Sequence, residues 1–193
     1  MSGFLILTWK KIHEASLKLA SEIAREGLEI DLIVGILRGG YIVARILGDI
    51  LGTENIGVVE VKFYKGIEER AERPIITQPL TADVKGKNIL VVDDVVDSGR
   101  TLEIVTEQVR LRGARSVRTA VLFYKPKSII RPDFFAQETS EWVVFPWELC
   151  EFIRELRVRD QVSDLESLIA KLWSIGFPEE ETSLQELIRT CRI

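Results

Sequence analysis

Apolar residues change their spacing along the chain, and the changes mark out alternating helices and strands. After Thr8, placed to cap a helix, Ile12, Ala15, Leu19 and Ile23 recur at helical spacing up to Gly27. Asp31–Leu37 (DLIVGIL) then runs almost wholly apolar, as a strand buried on both faces requires. It ends at Arg38-Gly39-Gly40, and a helix is predicted from there to about Leu51, stopped by Gly52. Gly57–Tyr64 reads as a strand with Val59, Val61 and Phe63 on one face. Ile89–Val92 is a further buried strand, followed by a helix from about Leu102 to Arg112. Ser116–Tyr124 and the shorter Trp142–Phe145 complete the strands. Strands alternating with helices predict an α/β fold with a central, mainly parallel sheet and helices on both faces.

Two stretches break the pattern. Residues 65–87 begin charged and are interrupted by Pro74 and Pro79. Connections of this length are uncommon in compact domains unless they are functional. Composition leaves two readings level, a mobile lid and a solvated β-excursion with Ile75–Gln78 as one arm. Beyond Trp147 the character turns helical. Ser163-x-x-Glu166 has the form of a capping box ahead of Leu165, Leu168, Ile169, Leu172 and Trp173, and Thr182-x-x-Gln185 opens another short helix. The expected organisation is one domain over residues 1–150 and a helical extension over 151–193.

Composition narrows the setting. A chain of 193 residues, 46% hydrophobic, can build a full core, and no stretch reaches the ~18 apolar residues of a membrane span. Phe4–Leu7 is too short for a signal peptide. A net charge of −4 argues against a surface that coats nucleic acid. Cys150 and Cys191 suggest neither a metal site nor a disulfide framework, so both are expected as reduced thiols in the cytoplasm. One Met, two Cys and few Asn beside 29% charged residues lean towards a thermophilic source.

The chemistry concentrates in residues 89–101, ILVVDDVVDSGRT. Asp93, Asp94 and Asp97 crowd the end of a buried strand, where they repel one another unless a cation sits among them. Asp97-Ser98-Gly99-Arg100-Thr101 then offers free backbone N–H groups, two hydroxyls and a flexible glycine before a helix, which makes an anion cradle. One capping Asp or Ser would be ordinary. Three acids at the edge where open α/β sheets bind ligands are not. A ligand with a phosphate, hydroxyls and a divalent metal fits, and a phosphorylated sugar has all three.

The segment VVDDVVDSGRTL resembles the phosphoribosyl pyrophosphate (PRPP) signature of type I phosphoribosyltransferases. Together with LRGG (37–40), VKFY (61–64), FYKP (123–126), RPDFF (131–135) and WVVFPWE (142–148), it is similar to the purine-salvage branch, in particular the xanthine-guanine and hypoxanthine-guanine enzymes. The resemblance covers roughly residues 5–150. It implies that Asp93 and Asp94 face the ribose hydroxyls of PRPP and its Mg2+, with Asp94 favoured for the metal and Asp93 and Glu148 as further candidates. Asp97, Ser98, Gly99, Arg100 and Thr101 would wrap the 5′-phosphate, and Asp97, the expected catalytic residue, would also lie at the purine imidazole edge as a proton acceptor or hydrogen-bond partner for N7. Arg38, Gly39 and Gly40 match the pyrophosphate loop, where family members carry a cis peptide, here Leu37–Arg38. Tyr64 would open the lid, although Phe63 stands where relatives have serine. Lys125 would read the oxygen at purine C6, Trp142 would stack on the base, and the Val143 backbone would contact its edge. Val144 replaces an acid found in bacterial xanthine-guanine enzymes, which weakens any claim on the purine 2-substituent.

The implied reaction transfers ribose 5-phosphate from PRPP to purine N9 and releases pyrophosphate. Water would destroy the cationic sugar, so the site should close, which favours the lid reading of 65–87. A 6-oxopurine is the expected base because of Lys125, with adenine as the alternative. A PRPP-sensing regulator without catalysis is the remaining reading. The family's habit of assembly implies a homodimer or homotetramer.

Overall fold

The structure, a computed structural model, describes residues 3–64, 73–178 and 181–193. In chain order the first elements are β1 (Phe4–Ile6), α1 (Trp9–Arg25), β2 (Leu32–Leu37), α2 (Gly39–Leu51), β3 (Ile56–Tyr64), β4 (Arg73–Gln78) and β5 (Asn88–Val96). After them come α3 (Arg100–Leu111), β6 (Ser116–Tyr124), β7 (Phe134–Glu138), β8 (Trp142–Val144), α4 (Leu149–Arg159), α5 (Leu165–Ser174) and α6 (Glu181–Thr190). They divide into two compact units, Ile12–Thr139 and residues 1–11 with 140–193.

The first unit holds a six-stranded sheet in the order β4-β3-β2-β5-β6-β7. All pairings are parallel except that of β3 with β4. The near-continuous apolar runs of β2, β5 and β6 follow from burial on both faces. Leu32, Val34, Ile36, Val91 and Val121 pack with Leu102, Val105 and Val109 of α3. The alternate residues Ile33, Leu90, Val92, Ala120 and Leu122 are equally buried. On their side lies α2, so close that a Cβ at Gly35 would sit 2.9 Å from Tyr41 Cα. From β2 the chain crosses to β3 on one side, while β5 pairs on the other. That reversal opens a crevice beyond the carboxyl ends of β2 and β5, where such sheets bind ligands.

The α/β architecture with a mainly parallel sheet agrees with the sequence reading, and Gly52 ends α2 in the left-handed region at φ 70°. The 65–87 segment comes out differently along its length. Residues 65–72 lie outside the described residues. Arg73–Gln78 is the antiparallel edge strand β4, matching the β-excursion arm. Leu80 and Val84 are buried in the core, and Arg112 donates to the carbonyls of Leu80 (2.5 Å) and Ala82 (2.9 Å). Leu80 and Ala82 are thus pinned to the end of α3.

The second unit pairs β1 and β8 in parallel, Phe4 opposite Trp142 and Ile6 opposite Val144. Ile6 and Val144 share a core with Phe152, Ile153 and Leu156 of α4, Leu168 and Leu172 of α5, and Leu184 and Ile188 of α6. Packing therefore groups residues 140–150 and the first strand with the 151–193 extension. Helix α4 escaped the sequence reading because no capping signal precedes it, Glu148 providing no side-chain cap. Asp164 rather than Ser163 caps α5, its carboxylate accepting the Ser167 N–H at 2.8 Å.

One expectation is overturned. Cys150 and Cys191 are not separate thiols but form a disulfide, with Cα atoms 5.4 Å apart. They lie 41 positions apart in sequence, too far for spacing to signal a pair, and only the packing of α6 beside α4 brings them together. Closing a loop of that length restricts the unfolded chain by about 4 kcal/mol on the chain-entropy scale. Urea unfolding with and without reductant should show a loss of stability approaching that figure. Cys150→Ser should reproduce the loss and no longer respond to reductant.

Candidate active site

β5 runs on past the expected Val92 to Val96, carrying Asp93 and Asp94 within the strand. Successive strand positions point to opposite faces, so the two carboxylates are not equivalent. Asp93 lies against the start of α2. A Cβ on Gly40 would be 2.7 Å from Val92 O and 2.8 Å from Asp93 Oδ1, so only glycine lets the Arg38-Gly39-Gly40 turn approach the acids. Arg38 precedes α2 through a cis Leu37–Arg38 peptide, the bond expected from the resemblance. Asp93 Oδ1 accepts the Asp94 N–H at 3.0 Å, and Asp94 Oδ1 accepts the Val95 N–H at 2.8 Å.

Burial, and then the neighbouring Asp94 charge, push the Asp93 carboxyl well above the usual carboxylate range. A carboxyl whose native pKa exceeds its unfolded value holds its proton longer when folded, so stability falls as pH rises through that interval. Asp93→Asn should therefore raise the melting temperature of the ligand-free protein at pH 8 more than at pH 4. Equal shifts at the two pH values would remove this account.

Past Val96 the chain turns through Asp97, Ser98 and Gly99 into α3. Gly99 adopts φ 85°, and a Cβ there would strike Ser128 Oγ and come within 3.0 Å of the Ile130 N–H nitrogen. The Ser98 carbonyl accepts the Ile129 N–H at 3.0 Å, so the segment 128–130 braces the turn. Gly99 occupies the capping position with no side-chain bond of its own, and Ser98 Oγ accepts the Arg100 N–H at 3.4 Å; the N–H groups at the start of a helix suit an anion. An open cavity of about 360 Å³ lies over the turn, lined among others by Phe63, Asp93, Asp97, Ser98, Gly99 and Thr101.

Lys125 follows β6 directly, and its N–H donates to Val96 O at 3.0 Å. This zips the β5 and β6 ends together and sets the nearly buried Lys125 ammonium 3.5 Å from Asp97 Oδ1. Lys127 reaches the same oxygen at 2.7 Å. Burial works against the charged form of Asp97, but the Lys127 contact and the two lysine charges outweigh it and hold the carboxyl below its ordinary range. The turn 97–101, the acids, the Gly40 approach and Lys125 thus meet at one sheet edge. Lys127 was missed, because a lysine two residues beyond another carries no signal until the loop folds back.

Tyr64 ends β3 well exposed. In the other unit, Trp142 on β8 is about half exposed at 51% while Val143 is buried. Glu148 accepts the Phe145 N–H at 3.3 Å, which commits one of its oxygens to the turn before α4. Among the described residues no cluster of three or more His, Cys, Asp or Glu side chains forms a metal cage. The adjacent Asp93 and Asp94 nevertheless suit magnesium, which is commonly held by one or two carboxylates together with phosphates and water.

The phosphoribosyl transferase domain family matches residues 6–151. The chain belongs to the phosphoribosyltransferase family. This phosphoribosyltransferase is 35% identical to the xanthine-guanine phosphoribosyltransferase of Gluconobacter oxydans over 147 residues, 75% of this chain and 84% of that protein. It is 32% identical to the enzyme of that name from Cereibacter sphaeroides, over 82% of this chain and 95% of the relative. Among solved structures, a purine phosphoribosyltransferase from Pyrococcus horikoshii superimposes with a TM-score of 0.68 at 41% identity, covering 75% of this chain and 93% of that one. A Neisseria gonorrhoeae protein with bound ppGpp matches with a TM-score of 0.70 at 29% identity, over 77% and 90% of the two chains. In this phosphoribosyltransferase no helix among the described residues is long and apolar enough to cross a membrane.

Proposed function

We propose that the enzyme transfers ribose 5-phosphate from PRPP to N9 of a 6-oxopurine (hypoxanthine, guanine or xanthine) with release of pyrophosphate. The observation that carries this reading is the meeting of Lys125 and Asp97 beside the 97–101 turn. One donor for a C6 oxygen and one acceptor for an N7 proton stand next to a phosphate cradle. An ammonium offers only donors, so it suits an acceptor at C6 and fails to complement the amino group of adenine.

The 5′-phosphate would sit on the backbone of residues 98–101, with Ser98 and Thr101 hydroxyls supplementing the N–H groups and Arg100 beside them. Arg38, Gly39 and Gly40 would take the pyrophosphate, the arginine through its planar fork. Asp93 and Asp94 would hold the ribose hydroxyls and face the positive charge that develops on the sugar as the C1–oxygen bond breaks. Asp94, with Asp93 beside it, would hold Mg2+, which offsets charge on the leaving diphosphate when bound. Tyr64 and the residues after it would close over the reaction. Trp142 as the stacking residue, Val143 as the edge contact and Glu148 as a second metal contact rest on the family resemblance. Cytoplasmic purine salvage by a homodimer or homotetramer is part of the same reading.

Assay of adenine, hypoxanthine, guanine and xanthine with magnesium PRPP tests it. Nucleotide should form from one or more 6-oxopurines in preference to adenine. Use of adenine alone would overturn the choice of base, and PRPP binding with no nucleotide from any base would favour a regulator.

A further inference from the structure

Two ammonium groups converge on one carboxylate oxygen. Lys125 Nζ lies 3.5 Å and Lys127 Nζ 2.7 Å from Asp97 Oδ1. The two lysines are unlike in situation. Lys125 is fixed at the end of β6 with its side chain nearly buried, whereas the Lys127 side chain is 68% exposed. A single counter-ion would have sufficed for Asp97. A second cation leaves the trio with one positive charge in excess, and its Asp97 lines the cavity together with Asp93.

We propose that Lys127 is a positioning residue that holds Asp97 and thereby releases Lys125 to bind the base. With Lys127 in place, Asp97 keeps a partner when Lys125 turns to a ligand oxygen, and Oδ2 stays presented to the proton at N7. Without it, Asp97 has only Lys125. That lysine must then choose between its half-exposed counter-ion and the base, and leaving a partly buried carboxylate unpaired is costly. The shorter contact and the exposed, flexible stem suit Lys127 to this task, since it reaches Asp97 from solvent without blocking the cavity wall. The loop that carries it is fixed on both sides of Ser128, whose N–H donates to Lys125 O at 2.9 Å and whose hydroxyl donates to Ile130 O at 2.7 Å. The inference rests on the proposed oxopurine reading.

Lys127→Met and Lys127→Arg test it. In Lys127→Met the KM for a 6-oxopurine should rise about tenfold, the weight of one charge-assisted hydrogen bond, while the KM for PRPP stays unchanged. Lys127→Arg should restore the base KM. An unchanged base KM in Lys127→Met, or an equal loss on both substrates, would overturn the proposal. A second measurement needs no turnover. Carboxyl carbon NMR of the ligand-free protein should show the Asp97 carboxyl titrating at higher pH in Lys127→Met and back near wild type in Lys127→Arg. An unmoved titration would overturn the clamp. Absence of transfer by the wild-type protein would instead count against the oxopurine reading, with the NMR result still deciding the clamp.

Discussion

Asp97→Asn should slow purine transfer by roughly 10²–10⁴-fold, the usual weight of a positioned acid–base group, and leave PRPP binding largely intact. Asparagine keeps the shape of the side chain and loses its capacity to take a proton. The proposed phosphate cradle depends on the backbone after Asp97, and that backbone is fixed independently by Ile129 donating to Ser98 O and by Gly99 at φ 85°. The substitution also removes the anion shared by Lys125 and Lys127. Two cations left facing each other would push Lys125 away from its present place, so base KM should rise as well. PRPP titration calorimetry and single-turnover kinetics separate these effects. In wild type the base-side limb of catalysis is lost as pH falls through the Asp97 pKa, which lies below the ordinary carboxylate value, so activity should persist into mildly acidic buffers. Unchanged turnover in Asp97→Asn would remove the acid–base role.

What was legible in the sequence follows a physical divide. The strands β2, β5 and β6 are buried on both faces, so their residues had to be apolar in unbroken runs, and those runs are visible without a structure. The 97–101 turn into α3 was equally legible, because a glycine at positive φ and hydroxyls before a helix are local requirements met by adjacent residues. Features that depend on distant segments meeting were hidden. The Cys150–Cys191 bond needs α4 and α6 side by side, and β7 needs β6 as a template, since FFAQE has no strand pattern of its own beyond its first residues. The pinned end of the 65–87 stretch was hidden for the same reason. Leu80 and Val84 look like stray apolar residues until Arg112 of the α3 end is seen holding the carbonyls beside them. Within the site, Lys125 needed the family resemblance to stand out from an ordinary strand-end lysine, and Lys127 needed the folded loop.

Gly99→Ala should damage both stability and PRPP affinity, and Gly113→Ala provides the comparison that says why. Both glycines have nearly the same left-handed backbone, φ 85° and 86°. An alanine in that region costs about 1–2 kcal/mol relative to glycine wherever it occurs. At Gly113 the added Cβ would meet only Lys85 Cγ at 3.5 Å, an ordinary contact, so that variant should lose no more than the conformational cost and keep its kinetics. At Gly99 the Cβ would run into Ser128 Oγ and stand 3.0 Å from Ile130 N and 3.1 Å from Ile129 Cγ1. Backbone at 130 cannot swing aside as a side-chain tip can, so the 97–101 turn or the 128–130 brace must shift. Either movement displaces the N–H groups proposed to hold the 5′-phosphate, where a misplacement of about 1 Å can cost as much as 10²-fold. The expected result is a further stability loss of ~1–3 kcal/mol from overpacking, with a matching rise in the KM for PRPP and a smaller change for the base. Ser128→Ala in the Gly99→Ala background removes the nearest obstacle and should recover part of the PRPP loss. If both glycine variants instead lose stability equally and neither changes the KM for PRPP, the turn does not bind phosphate through its backbone.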